Sequence, residues 1–211
     1  MSAYQLATDL FIAPTPAGAY FATSSPDDDV ARRLLLAVMR EDATVALDAD
    51  RLRDWTGQSS EEEAAEVLYR AESVGWVVGE ASQRPAPTGN MERDVPEMLE
   101  MLSGSGKALL ADSDGFYLAR AGFSHETAEE LSALSADVAA LHDRHRRLLR
   151  NNLSFRSGAW AVVDAAGNSQ VGIWPLHVAE HHFSLVACGE PCFHVPEFLA
   201  LVWTLARRYS R

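Results

Sequence analysis

Apolar positions change period several times along the chain, and each change marks a predicted element. Two short apolar stretches, Leu10 to Ala13 and Ala19 to Thr23, flank Pro14-Thr-Pro-Ala-Gly18 and predict a small N-terminal hairpin. Ser25-Pro26 and three aspartates then predict the start of a helix, since carboxylates favour its positive end, with Val30, Leu34, Leu35 and Val38 turned inward. A second helix runs from Leu47 to Trp55 and stops at Gly57. Ser59 and Ser60 are caps for a third, Glu61 to about Val74, that buries Ala64, Val67, Leu68 and Ala71, and Gly75-Trp-Val-Val-Gly79 follows as a strand. Hairpin, three helices and strand are the parts of a winged-helix-like domain over residues 1–80.

Pro85, Pro87 and Gly89 interrupt a stretch without periodicity, which predicts a linker over residues 81–93. A second domain, residues 94–211, opens with a helix to about Leu102. Strands Lys107 to Asp112 and Phe116 to Ala121 follow, joined by Asp112-Ser-Asp-Gly115. Ser124 caps a long helix from Glu126 to Arg150, in which Leu131, Leu134, Val138, Leu141, His145 and Leu148 step by three and four residues. That spacing is the seam of a helix lying along another helix or across a sheet. Strands Ala159 to Val163, Gln170 to Pro175 and His182 to Cys188, then a helix from Pro196 to Tyr209, complete an α-β-β-α-β-β-β-α order around a five-stranded antiparallel sheet. The fold class expected is α+β/α/β, with this sheet domain beside the small winged-helix-like one.

Composition adds limits. At 47% hydrophobic the 211 residues can build a packed core, and no uncharged apolar run reaches the length of a membrane span. The start lacks a signal peptide, so a cytoplasmic location without membrane insertion is expected. Cys188 and Cys192 are too few for a disulfide framework. Thirty Asp and Glu against 18 Lys and Arg give a net charge of -12, which repels phosphate backbones and points to protein or small-molecule partners. The third helix sharpens this, because Glu61, Glu62, Glu63 and Glu66 would meet DNA phosphates if it entered a groove.

Three local patterns could carry chemistry. Ser103-Gly-Ser-Gly-Lys107 resembles part of a phosphate loop, but Met101 and Ala108 stand where the motif needs Gly and Ser or Thr, so a turn is expected and no cofactor. His177, His181 and His182, with Cys188, Cys192 and His194, offer nitrogen and sulfur ligands without a recognised zinc spacing, so no metal site is assigned. Arg144, Arg146, Arg147, Arg150 and Arg156 concentrate positive charge at the end of the long helix. They suit a helix C-terminus, and Arg144, Arg147 and Arg150 could also anchor an acidic partner surface or the companion protomer. No catalytic constellation stands out, so an enzyme is not expected.

The segment Ala-Leu-Leu-Ala-Asp-Ser-Asp-Gly-Phe-Tyr-Leu-Ala-Arg-Ala-Gly-Phe, residues 108–123, followed by an acidic Ala- and Leu-rich helix, is similar to the signature of the Roadblock/dynein light chain (Roadblock/LAMTOR-like) domain. The resemblance spans residues 94–211. It implies a profilin- or longin-like fold that dimerises through its long helix and a central strand, without a catalytic group. Bacterial relatives commonly serve small Ras-like GTPases, binding the switch region and regulating the nucleotide cycle, and others are scaffolds. The N-terminal domain and the histidines near the end of the sheet depart from that pattern.

The resulting expectation is a homodimeric interaction module, regulator or scaffold of a small Ras-like GTPase system, with Leu131, Leu134, Val138, Leu141, His145, Ala159, Ala161 and Val163 at the dimer interface. The competing readings are a winged-helix transcription regulator dimerised by the second domain and a metal- or ligand-sensing protein.

Overall fold

The computed structural model describes residues 9–87 and 90–209. The N-terminal residues 1–8, on which the reading of the chain's start mainly rests, lie outside them. The chain divides into two compact units, Met1–Thr88 together with Leu199–Arg211, and Gly89–Phe198.

In the first unit, strand β1 (Phe11–Pro14) is followed by helices α1 (Pro16–Thr23) and α2 (Val30–Val38), strand β2 (Val45–Ala46), helices α3 (Ala49–Thr56) and α4 (Glu61–Ser73), and strand β3 (Val77–Glu80). The expected N-terminal hairpin does not form. Its second half is α1, because Thr15 caps the helix by accepting from the Gly18 N–H and Pro16 occupies the first turn, where a missing N–H costs nothing. Strand β1 instead pairs antiparallel with the distant β2 and β3, giving the order β2-β1-β3. The start of α2 also differs from expectation. Asp29 is its cap, accepting from Ala31 and Arg32 N–H groups, so Ser25-Pro26 lies ahead of the helix. Leu34, Leu35 and Val38 are buried as expected, whereas Val30 is half-buried. Gly57 and Ser60 cap α3 and α4 as read from sequence.

The expected linker begins as part of this unit. Arg84 N–H donates to Thr44 Oγ1 (2.8 Å), Ala86 N–H donates to the Asp42 carbonyl (2.9 Å), and Pro85 bridges Ala43. Prolines bar a central strand but tolerate such single bridges. The last helix, α7 (Pro196–Tyr209), has the expected bounds, but from Leu199 onward it groups with the first unit and not with the sheet domain. Buried Trp203 donates from Nε1 to the Glu41 carbonyl (3.0 Å), and Arg207 pairs with Asp42 and donates to the Pro87 carbonyl (3.2 Å). The second unit is Gly89–Phe198, so the last helix does not stay within it, in contrast to the expected domain of residues 94–211.

The second unit contains α5 (Asp94–Met101), strands β4 (Ala108–Asp112) and β5 (Tyr117–Ala121), helix α6 (His125–Arg146), and strands β6 (Trp160–Val163), β7 (Ser169–Val178) and β8 (His181–Cys188). They form the expected five-stranded antiparallel sheet, in the order β5-β4-β8-β7-β6. The β4–β5 turn is built around Asp112, whose carboxylate accepts from the Asp114 and Phe116 N–H groups (3.0 and 2.9 Å), while Gly115 takes φ 86°, a conformation that favours glycine. Leu109, Ala111 and Val186 on one sheet face pack with Ala128 of α6 and with Phe123.

Candidate interaction surface

Helix α6 meets the sheet through its small residues. Ala128, Ser132 and Ser135 are buried, and both hydroxyls are satisfied within the helix, Ser132 Oγ on the Ala128 carbonyl (2.6 Å) and Ser135 Oγ on the Ser132 carbonyl (2.8 Å). Small side chains let the helix sit close to the strands, and this leaves the larger ones pointing elsewhere. Leu134 and Leu141, members of the expected seam, are 46% and 40% exposed in the single chain. Val138 is half-buried, and His145 is exposed. Leu131 is the exception, because it is half-buried against the Leu109 and Val186 cluster and already serves the unit's own core.

The sheet continues this exposed apolar surface at β6, which is an edge strand. Trp160 pairs with Ile173 and Val162 with Val171, and both partners pack on the α6 side, so Trp160 and Val162 point to that side as well. Trp160 is tied to the helix, donating from Nε1 to His142 Nδ1 (3.1 Å). Val162 is 61% exposed and Val163 54%, with exposed Ala161 just before them and half-buried Ala159 at the start of the run. The strand Trp-Ala-Val-Val carries no charge and no proline. Edge strands of that kind offer open backbone donors and acceptors to another strand, and proteins ordinarily guard them. The β6–β7 turn is firm. Asp164 accepts from the Asn168 side-chain amide (3.0 Å) and from the N–H groups of Asn168 and Ala166 (2.9 and 2.8 Å), which hold its carboxyl below the usual carboxylate range.

The remaining motifs separate. In Ser103-Gly-Ser-Gly-Lys107 the N–H groups of Ser105 and Lys107 donate to Ser103 Oγ (3.2 and 3.1 Å), and that hydroxyl donates to the Cys188 carbonyl (2.7 Å). Amides that a phosphate would need are thus engaged in the turn before β4. His177 and His182 face each other across β7 and β8 with their Nδ1 atoms 2.6 Å apart. Among the described residues no group of three His, Cys, Asp or Glu is placed to hold a metal ion. Burial pushes the Cys188 thiol up, against the opposing pull of Lys107, so its thiolate is disfavoured. Arg144, Arg146, Arg147, Arg150 and Arg156 all reach the surface around the end of α6.

The strand itself was legible as the uninterrupted apolar run Ala159 to Val163, whereas the small-residue face of α6 was missed. Its signal is present as Ala128, Ser132 and Ser135, spaced by four and three residues, but the periodic leucines dominate the pattern.

No protein-family model matches the chain, and no curated protein matches its sequence. Among solved structures, a Roadblock/LC7 domain from Streptomyces avermitilis is similar at 15% identity, covering 56% of this chain and 98% of that one, with a TM-score of 0.38.

Proposed function

We propose that the protein is a non-enzymatic, homodimeric interaction module of Roadblock type, in which α6 and β6 form the self-association face. The observation that carries this reading is the coincidence of exposed Leu134 and Leu141 on α6 with exposed Val162 on the α6 side of an uncharged edge strand, whose next residue, Val163, is exposed at the strand end. Fully burying an aliphatic side chain is worth roughly 1.5–3 kcal/mol, and each of these, about half exposed, forfeits roughly half of that. A second copy bringing the same surface across a two-fold axis would cover all of them and pair the two β6 edges. Leu131, Val138, His145, Ala159 and Ala161 stand in or beside this face, with Leu131 contributing from the core side.

The proposed role is to regulate or scaffold a small Ras-like GTPase system. Its support is the resemblance of residues 108–123 and the α-β-β-α-β-β-β order, and it is an analogy of fold. The first unit would add a second protein contact. Its α4 helix argues for protein over DNA, because Glu61, Glu62 and Glu63 are exposed in the first turn and would face phosphates in a groove. The winged-helix assignment of this unit belongs to the same proposal, with the qualification that β1 and not a C-terminal wing strand is the middle strand.

Retention of purified GTPases on the immobilised protein tests the partner. Selective capture in one nucleotide state is the expected result, and equal retention in both states, or none, contradicts a regulatory role.

A further inference from the structure

The end of α6 has a character found nowhere else in the chain. Between Asp143 and Asp164 there is no acidic residue, and that interval holds Arg144, Arg146, Arg147, Arg150 and Arg156, five of the eight Lys and Arg of residues 89–198. In a protein of net charge -12, neutralising partners should be easy to find. Yet Arg144, Arg146, Arg147 and Arg156 form no ion pair with a described carboxylate.

The backbone keeps this segment outward. After α6 the helix widens to a π-helical turn, Arg147–Asn152, closed by the Leu153 N–H on the Leu148 carbonyl (3.1 Å), and the chain then runs irregularly to β6. Every residue from 150 to 157 is exposed. Two large apolar side chains stand among the arginines, Leu153 at 49% and Phe155 at 59% exposed. A solvated helix end satisfying only its dipole needs the arginines but not these side chains.

We propose that residues 144–156 dock the protein peripherally on an anionic lipid bilayer. Arginines would meet lipid phosphates, while Leu153 and Phe155 enter the boundary between headgroups and acyl chains, the arrangement by which basic amphipathic segments lie on membranes without spanning them. Charge complementarity selects an anionic surface. The interleaved aliphatic leucine favours a bilayer over nucleic acid, which would use the arginines and the aromatic ring but gain little from Leu153, and the exposure of the whole run 150–157 suits a broad anionic surface. The acidic remainder of the molecule does not forbid docking, because charges beyond a Debye length of about 8 Å are largely screened at physiological salt. This proposal stands apart from self-association, since Leu153, Phe155 and Arg156 are outside the α6 seam and β6.

The test is flotation of the full-length protein with vesicles of phosphatidylcholine alone and of phosphatidylcholine mixed with phosphatidylglycerol, at low and at physiological salt. Binding to the mixed vesicles only is expected. Arg146→Gln with Arg156→Gln should lower partitioning on the order of tenfold or more, and Leu153→Ser with Phe155→Ser should weaken the binding that persists at higher salt. All four positions are exposed, so circular dichroism and the light-scattering mass should be unchanged. Absence of binding to anionic vesicles at low salt overturns the proposal, as does equal binding by the arginine variant. Capture of polyglutamate or of nucleic acid without vesicle binding would assign the segment to that other partner and overturn it equally.

Discussion

At Gly18 the first unit leaves no room for a side chain. An added Cβ would lie 2.1 Å from the Trp76 carbonyl oxygen, the same oxygen that accepts from the Thr15 N–H at 3.0 Å. Gly18→Ala should therefore push α1 from β3 and cost about 3 kcal/mol, at the upper end of overpacking, read as a lowered denaturant midpoint; an unchanged midpoint would contradict this packing. Asp164 makes a prediction in pH. Its carboxyl titrates below the unfolded value, so the turn's contribution is fully present above the usual carboxylate range and is lost as pH falls through the lower, folded value. Amide signals of Ala166 and Asn168 should shift together through that acidic window, whereas Asp164→Asn should flatten the response. Residues such as Asp112, Gly115, Gly57 and Ser60 were readable because their roles are local: a cap or a turn is decided within four residues. Gly18 was not, because its neighbour lies 58 positions away in the chain.

At the scale of elements, helix α6 separates two kinds of apolarity. Ser132→Leu would force a large side chain into a face built for small ones and should cost about 1–3 kcal/mol. Leu134→Ser, on the exposed flank, should leave the fold of each chain intact and act on association. Thermal denaturation of the two variants beside their association states distinguishes them; a larger loss of single-chain stability in Leu134→Ser would mean the helix faces the other way. The sheet was legible since its strands are short apolar runs and its turns are marked by Gly, Asp and Asn. Pairing of β1 with β2 and β3 was hidden, because Ala19 to Thr23 reads equally well as strand or helix and only Thr15-Pro16 decides it. Sequence could not place α7 either. An amphipathic terminal helix records that it packs, and the hydrogen bonds from Trp203 to Glu41 and from Arg207 to Pro87 determine where.

At the scale of the molecule, two units of different charge character serve one proposed role. The acidic first turn of α4 repels polyanions, the basic end of α6 attracts them, and the apolar α6 and β6 face lies in the same unit as that basic end. Contact of that face with a second copy is the central claim. It is tested most directly by light-scattering mass of the wild-type chain and of Leu141→Asp combined with Val162→Lys. Both positions are exposed in the single chain, so each variant chain should fold, while burying the new charges at an interface would be strongly unfavourable. The account predicts the mass of two chains for the wild type and of one for the variant; a wild-type monomer, or a variant that remains a dimer, would contradict it.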